Sequence, residues 1–489
     1  MSTKYREKRS FFFFLIMSTV AAILNITHYQ SSIGLVFVVI EIALLLYLLL
    51  RHKYVEYLCL YTIFISMSLE FTDFANVSYF YNLKDIRLFG LNLGIWLGVP
   101  LLILFFINFT SIKKRVLSEL GMVYKFGKYL IIMNFVAVFV GGLLLLCNDN
   151  YSQKLENAWS LFFGETYQFL FLPMIYFAGL AVAILFDKNN VYKLKIALQA
   201  ILWACVIQQI FGYVFEIKAY YGGTTIALSS NVTAFTPLLM VFFFHERCMF
   251  PKITGIIGLI GVVLSFLTGA GGKGIIVTVL VLLIVEMQAL KSKRRVVKAL
   301  GFILPVGLVL GSVVVLNIAV TKNDVLAWKI YSVKSLFSFG PDWISNMAHS
   351  PRIRIGEFLN VFMEYCQKPW LIITGKGFLG TVKDYSGIWD NPIVSYDAFS
   401  DNEWNAGIFY NMHEITSYIL VFGIMGIRYA WKYVYYVYKN FKYSIWLIFG
   451  AYWFLVYYGF SFTIAAFGCL VFFYSIYEAE WNLNKEGSL

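Results

Sequence analysis

Long apolar segments recur along almost the whole chain, and mostly short polar connections separate them. A helix needs about 20 apolar residues to cross a bilayer, and fourteen segments approach or reach that length. The pattern therefore predicts an all-α integral membrane protein with about 14 transmembrane helices. The predicted spans are residues 11–27, 33–50, 54–71, 89–109, 127–147, 166–186, 195–215, 231–246, 253–269, 274–290, 299–319, 412–431, 443–459 and 461–478.

The composition excludes most classes of soluble protein. Hydrophobic residues make up 60% of the 489 residues and charged residues only 13%, and the mean hydropathy is +0.73. Average soluble domains carry roughly 25% charged residues. A chain with so little charge cannot cover its surface with polar groups, which excludes an ordinary cytosolic enzyme, a secreted disulfide scaffold and a disordered protein.

The positions of the basic residues predict the orientation in the membrane. The chain has 39 Lys and Arg against 27 Asp and Glu, a net charge of +12. If the N-terminal basic group lies inside, fourteen crossings place 26 of the 39 basic residues on the cytoplasmic side, in agreement with the positive-inside rule. Both termini are then cytoplasmic. Because membrane topology accounts for the positive charge, we expect no nucleic-acid partner.

One long connection, residues 320–411, interrupts the series of spans and lies on the outer side in this topology. It holds four of the nine prolines and five of the twelve tryptophans. Loops of this length are usually functional or disordered, and an aromatic-rich composition favours packing over disorder. The sequence therefore predicts helices 1–11 in residues 1–319, a folded extracytoplasmic loop domain in 320–411, and helices 12–14 in 412–489.

The segment 352–368 within this loop has helical periodicity and should end at Pro369. Its apolar residues fall on one face and its charged residues on another, which predicts an amphipathic helix lying along the membrane surface. A purely structural lid helix is the alternative interpretation. The apolar face is Ile355, Phe358, Leu359, Phe362 and Cys366, and the other face is Arg354, Glu357, Val361 and Glu364.

The candidate chemistry lies on the outer side. The glycine-rich segment 269–274 lacks the spacing of a phosphate-binding P-loop, but it would place the cation of Lys273 in an outer cavity; a snorkelling interfacial lysine is the alternative. His413 lies where the loop re-enters the membrane, and it could orient or accept a proton or form a purely structural hydrogen bond. With Arg352 and Arg354, these cations suit a phosphate-bearing lipid headgroup. The spacing of His, Asp and Glu residues does not support a metal site.

The order of these motifs is similar to that of a known family. Arg354 is followed by Pro369, then by Gly375-Lys376-Gly377-Phe378, and then by Asn411-Met412-His413 opening a helix. This arrangement resembles the O-antigen polymerase and ligase superfamily. Two positions depart from the family pattern: Lys273 stands where arginine is usual, and Glu414 follows His413 where asparagine is usual.

The resemblance implies a GT-C-like glycosyltransferase of the bacterial inner membrane, with its active site on the periplasmic or extracellular face. Such an enzyme uses glycans linked to undecaprenyl diphosphate, is inverting, and needs neither a metal nor another cofactor. Its implied partners are membrane lipid, a chain-length regulator protein and a flippase. The implied catalytic residues are His413, Arg354 and Lys273, and the implied substrate-binding residues are Arg352, Glu357, Asn411 and Glu414.

Three functions stay open at this point. A polymerase would transfer the growing glycan onto the next lipid-linked repeat unit, and this is the function that we favour. A ligase would transfer the finished glycan to lipid A–core. A lipid-linked oligosaccharide flippase would also have about fourteen spans, but transporters often consist of repeated halves, and no repeat is visible here.

Overall fold

The computed structural model describes most of the chain. It gives residues 3–27, 32–67, 83, 86–89, 91–119, 121–147, 151–215, 218–221, 224–227, 231–244, 248–267, 335, 339–340, 343–344, 346–389, 398–458 and 461–487. The chain folds as two compact units, each formed by two stretches of sequence. The first unit is 1–97 with 182–330, and the second is 98–181 with 331–489.

The first unit holds the N-terminal helices and the middle of the chain. Its elements are α1 (Thr3–Thr27), α2 (Ser32–Leu50), α3 (Tyr54–Ser66), β1 (Arg87–Leu88), β2 (Leu91–Asn92), α9 (Lys193–Val214), β3 (Lys218–Tyr221), β4 (Thr224–Ala227), a 3₁₀ helix (Asn231–Phe244) and α10 (Pro251–Leu267). Helix α1 packs along α9. Two antiparallel hairpins, β1–β2 and β3–β4, also lie in it.

The second unit contains the loop domain and the C-terminal helices. The helices are α4 (Leu93–Ile107), α5 (Phe109–Glu119), α6 (Gly121–Leu146), α7 (Ala158–Thr166), α8 (Leu172–Asp187), α11 (His349–Gln367), α12 (Asp401–Ala406), α13 (Glu414–Asn440), α14 (Trp446–Tyr452) and α15 (Phe462–Gly487). The start of α4 and the end of α8 belong to the first unit. A short 3₁₀ helix, Pro369–Ile372, follows α11, and π-helical turns follow α7 (Tyr167–Phe171) and α14 (Trp453–Tyr457).

Within the described residues, four helices are long and apolar enough to cross a membrane: Gly121–Leu146, Ala158–Asn190, Lys193–Val214 and Phe462–Glu486. A fifth span would arise if α4 and α5, bent by 78° at their junction, were counted as one. Several shorter apolar helices lie at other predicted spans, α2 and α3 among them. The chain is thus mostly helical and compatible with a multi-pass membrane protein.

Local structure differs from the sequence prediction in two places. Two short hairpins occur in a chain for which no strand was predicted, although the mostly helical structure is consistent with the predicted all-α class. The predicted span 231–246 is a 3₁₀ helix over Asn231–Phe244, with Pro237 inside it; proline removes a backbone donor and clashes with the preceding turn, which disfavours a regular α-helix. The predicted spans 274–290 and 299–319 lie outside the described residues.

The described residues of the 320–411 segment share an apolar cluster with α13 and α6. Trp389 is fully buried, and its ring centroid lies 4.8 Å from those of Phe399 and Phe409. Buried residues of α11 and α13, including Val361 and Leu420, belong to the same cluster. Helix α11, His349–Gln367, covers the segment 352–368 for which a helix was predicted.

Candidate functional site

Helix α11 buries its charged face and exposes its apolar face. Glu357 and Glu364 are buried, at 0% and 1% exposure, whereas Phe358 and Phe362 are 54% and 60% exposed. Phe358 and Phe362 of this helix are therefore more exposed than its two carboxylates. The polar residues that a surface helix would normally present to water form hydrogen bonds inside the second unit instead.

Glu357 joins three groups of the candidate site. One oxygen, Oε2, accepts a hydrogen bond from the backbone N–H of His413 at 3.1 Å. The other, Oε1, lies 2.6 Å from Nδ1 of His413 and 3.4 Å from Nη1 of Arg354. Because a carboxylate can only accept, Nδ1 carries the hydrogen. In the neutral imidazole, the second ring nitrogen, Nε2, then has a lone pair that can accept a proton.

The backbone before His413 is held by a second buried carboxylate. Glu403 in α12 closes a capping box with Ser400. Its Oε1 also accepts from the backbone N–H groups of Tyr410 and Asn411, both at 2.9 Å. His413 is the N-cap of α13, in an extended conformation. His413 is thus held at its ring, at its backbone N–H and through the segment that precedes it.

The motif Gly375-Lys376-Gly377 supports the same helix from the other side. Both glycines have a positive φ, +72° and +70°, which favours glycine. Helix α13 is broken at Gly423, where φ is 56° and ψ is −144°. The backbone N–H groups of Lys376 and Gly377 donate to the carbonyls of Leu420 and Val421, at 2.7 and 3.1 Å.

Donors outside α13 therefore replace the hydrogen bonds that the break removes. The carbonyls just before Gly423 would otherwise lose partners in the next turn. The hydroxyl of Tyr365 donates to the carbonyls of Ile419 and Leu420, each at 2.9 Å. Beyond the break, the N–H of Met425 donates to the carbonyl of Ile373 at 3.1 Å. Burial raises the pKa of Tyr365, and the nearby Glu364 raises it further, so the hydroxyl stays protonated and can donate.

Lys376, between the two glycines, is fully buried and paired. Its Nζ lies 2.6 Å from Oε1 of Glu364 and also donates to the carbonyl of Thr381. The other oxygen of Glu364 accepts from the hydroxyl of Tyr385 at 2.6 Å. Burial and this hydrogen bond both raise the pKa of Tyr385. A buried charge pair with its remaining lone pairs satisfied is stable where an unpaired one would not be, so Lys376 has a structural role.

The structure brings some of the expected site residues together. Arg354, Glu357 and His413 form one cluster, in which the Arg354 side chain is 25% exposed. Asn411 is next to the cluster on the exposed surface. Glu414 begins α13, but its side chain is outside the described residues, and so is the whole of Lys273.

Arg352 does not join this cluster. Residues two apart on an α-helix point about 200° away from each other, so Arg352 and Arg354 leave α11 on opposite flanks. Among the described residues, Nε and Nη2 of Arg352 are buried without a hydrogen-bond partner. We expected Arg352 to act beside Arg354, and the helix geometry separates them.

Three functional contacts were not expected from the sequence. Glu403 and Glu364 fix the positions of the segments around the cluster, and Glu165 of α7 accepts from the backbone N–H of Leu379 at 2.6 Å. Leu379 has a positive φ of 54°, and the Glu165 contact supports that conformation. The partners in these contacts are brought together by the tertiary fold, which a local sequence pattern does not show. The one feature visible in the sequence is the helical periodicity of α11, which places Glu364 on the same face as Glu357.

No family model, curated protein or solved structure matches the chain.

Proposed function

We propose that the chain is a polymerase of O-antigen or another surface polysaccharide. It transfers the growing glycan from undecaprenyl diphosphate onto the next lipid-linked repeat unit, with inversion and without a metal. The observation that carries this proposal is the Arg354–Glu357–His413 cluster, in which one side chain can accept a proton and a neighbouring cation can bind an anionic leaving group. The number of about fourteen spans and the GT-C-like architecture belong to the same proposal.

His413 serves as the general base for the acceptor. The acceptor hydroxyl attacks the anomeric carbon of the donor sugar, the new C–O bond forms, and the bond from that carbon to the diphosphate oxygen breaks. The hydroxyl proton passes to Nε2 of His413. Glu357 is a positioning residue, because it holds Nδ1–H and stabilises the positive imidazolium that results.

Arg354 stabilises the leaving group. Cleavage leaves negative charge on the diphosphate, and a preorganised cation in a poorly hydrated site stabilises such charge more than water does. A guanidinium offers several N–H donors that match phosphate oxygens. Removing one stabilising group of this kind typically costs on the order of 10²–10³ in rate. Lys273 would supply a second cation, as the family resemblance implies.

The exposed apolar face of α11 supports a lipid-linked substrate. Phe358 and Phe362 are more than half exposed, and so are Trp370 and Ile373 just after the helix and Ile415 at the start of α13. Exposed apolar patches are typical of surfaces that contact lipid or another molecule. Contact of this face with the outer leaflet would place Arg354 and His413 near the headgroups, where the diphosphate of a polyprenyl carrier lies.

Deletion of the gene, followed by electrophoresis of the surface polysaccharide, tests the proposal. A polymerase mutant should carry a single repeat unit on the lipid core, because capping still occurs but extension does not. Loss of all surface glycan with accumulation of lipid-linked polymer would identify a ligase instead. Unchanged banding would contradict both transfer reactions.

A further inference from the structure

Helix α5 connects the apolar helix α4 to the candidate span α6. One residue, Asn108, separates it from α4, and one residue separates it from α6. The axis of α5 is bent by 78° from that of α4. Because a single residue spans less than about 4 Å, a membrane that contains α4 and α6 has α5 at its surface, and the bend turns α5 toward the plane of that surface.

The exposed side of α5 carries lysines. Ile112 is buried, and the ring centroid of Phe109 lies 5.8 Å from that of Phe105 in α4. Lys113 and Lys114 follow Ile112 at about 100° and 200° around the helix, and both are exposed. Ile112 and Phe109 therefore pack α5 against its neighbours, and the two lysines project from the exposed side.

Two further lysines continue this surface at the start of α6. Lys125 and Lys128 are exposed, and their spacing of three residues places them on one side of the helix. Between residues 113 and 128 the sequence has five basic residues and one acidic residue, Glu119. The term basic surface is used below for the four exposed lysines, which are Lys113, Lys114, Lys125 and Lys128.

Carboxylates of the described residues do not neutralise the basic surface. None of its four lysines has a described carboxylate within ion-pair distance. Glu480 of α15 lies at the same end of α6, but its two oxygens accept from the backbone N–H groups of Met122 and Val123, at 2.7 and 3.3 Å. A negatively charged surface outside the protein is therefore the complement of these lysines.

The neighbouring helix α13 indicates the level of the basic surface in the membrane. Its exposed face changes from isoleucine to aromatic residues towards the end of the helix: Ile424 and Ile427, then Trp431, Tyr435 and Tyr438. Trp and Tyr are enriched at the boundary between the hydrocarbon and headgroup layers. Nζ of Lys432 in α13 lies 5.6 Å from the ring centroid of Tyr129, the residue after Lys128 in α6. The aromatic residues and the basic surface therefore lie at one level, that of the lipid headgroups.

We propose that the basic surface binds the headgroups of anionic phospholipids, with α5 lying in the headgroup layer. In the predicted topology this is the cytoplasmic leaflet. Clusters of basic residues next to a membrane span are typical of segments that bind anionic lipid. A lipid surface presents many separate charges, so the lysines need not converge on a single phosphate. The inference does not depend on glycan transfer.

Native mass spectrometry of the full-length protein, titrated with phosphatidylglycerol or with phosphatidylcholine of the same acyl chains, tests this proposal. The wild type should bind phosphatidylglycerol more tightly. Each lysine near an anionic lipid surface contributes about fivefold in affinity, so the double variant Lys113→Gln, Lys114→Gln should weaken phosphatidylglycerol binding about 20-fold. The double variant Lys125→Gln, Lys128→Gln should have the same effect. Phosphatidylcholine binding should not change, and arginine at these positions should preserve the preference.

The double variant Lys154→Gln, Lys383→Gln is the matched control. Lys154 is exposed and follows the other end of α6, and Nζ of the partly exposed Lys383 lies 3.9 Å from the ring centroid of Tyr151 near that end. This variant should bind phosphatidylglycerol as the wild type does. Equal binding of the two lipids by the wild type, or equal losses in the control and in the other double variants, would overturn the proposal. Variants that keep the lipid preference but lose binding of a polyglutamate peptide would assign the basic surface to an acidic protein instead.

Discussion

Glu357 determines the geometry of the candidate site at the scale of single residues. Its buried carboxylate accepts from the ring and the backbone of His413 and lies beside Arg354. Truncating one partner of a buried, hydrogen-bonded charge leaves the others unsatisfied. The proposed base and the proposed leaving-group cation therefore both contact one buried carboxylate.

Glu357→Gln tests the positioning role directly. The amide keeps the shape of the side chain but can no longer hold Nδ1–H as a carboxylate does, so the transfer rate kcat should fall on the order of 10²-fold or more. The KM for the lipid-linked substrate should change little, because Glu357 does not contact it. Steady-state kinetics in nanodiscs would measure both constants.

Glu156→Gln is the control for this substitution, since Glu156 is an exposed carboxylate of the same unit. It should leave kcat and KM as they are in the wild type. A Glu357→Gln protein with wild-type kcat would remove Glu357 and its contact to His413 from the mechanism. A rise in KM without a fall in kcat would make Glu357 a binding residue instead.

At the scale of elements, backbone hydrogen bonds join the broken helix α13 to the loop that contains Gly375 and Gly377. In the sequence the two glycines were only part of a motif, and the structure gives both of them a positive φ. The sequence could not show what the turn packs against. A Cβ on Gly377 would overlap the carbonyl oxygen of Ala137 in α6, and one on Gly423 would overlap that of Ile372.

Gly377→Ala should prevent the loop domain from packing, because the added methyl meets backbone atoms that cannot move independently. Gly407→Ala is a matched control: Gly407 also has a positive φ, +65°, but a Cβ there would meet nothing within 4 Å. The control should lose only the roughly 1–2 kcal/mol of a left-handed conformation. Thermal unfolding in detergent would compare the two, and equal losses would contradict the tight packing around Gly377.

Helix α11 shows which parts of the site the sequence could and could not predict. Helical periodicity placed Arg354, Glu357 and Glu364 on one face, and the structure keeps them there. Periodicity alone does not tell which face is buried, because an apolar face can pack on protein or on lipid. The contact between Glu357 and His413 spans 56 residues of sequence, so no local pattern could reveal it.

At the scale of the whole molecule, the second unit contains every described residue of the proposed machinery. Arg354, Glu357 and His413 lie in the 331–489 stretch of that unit. The remaining part of the unit, 98–181, contributes Glu165, which accepts from the backbone N–H of Leu379. Helix α11 and the candidate spans α6 and α15 belong to the same unit.

Transfer by the purified protein in nanodiscs tests the central claim most directly. With a lipid-linked repeat unit as sole substrate and a chelator present, the wild type should give a ladder of products that differ by one repeat. Arg354→Ala should insert normally and give no ladder, because the leaving diphosphate loses its cation. A ladder of wild-type intensity from Arg354→Ala would contradict the claim that this cluster performs the transfer.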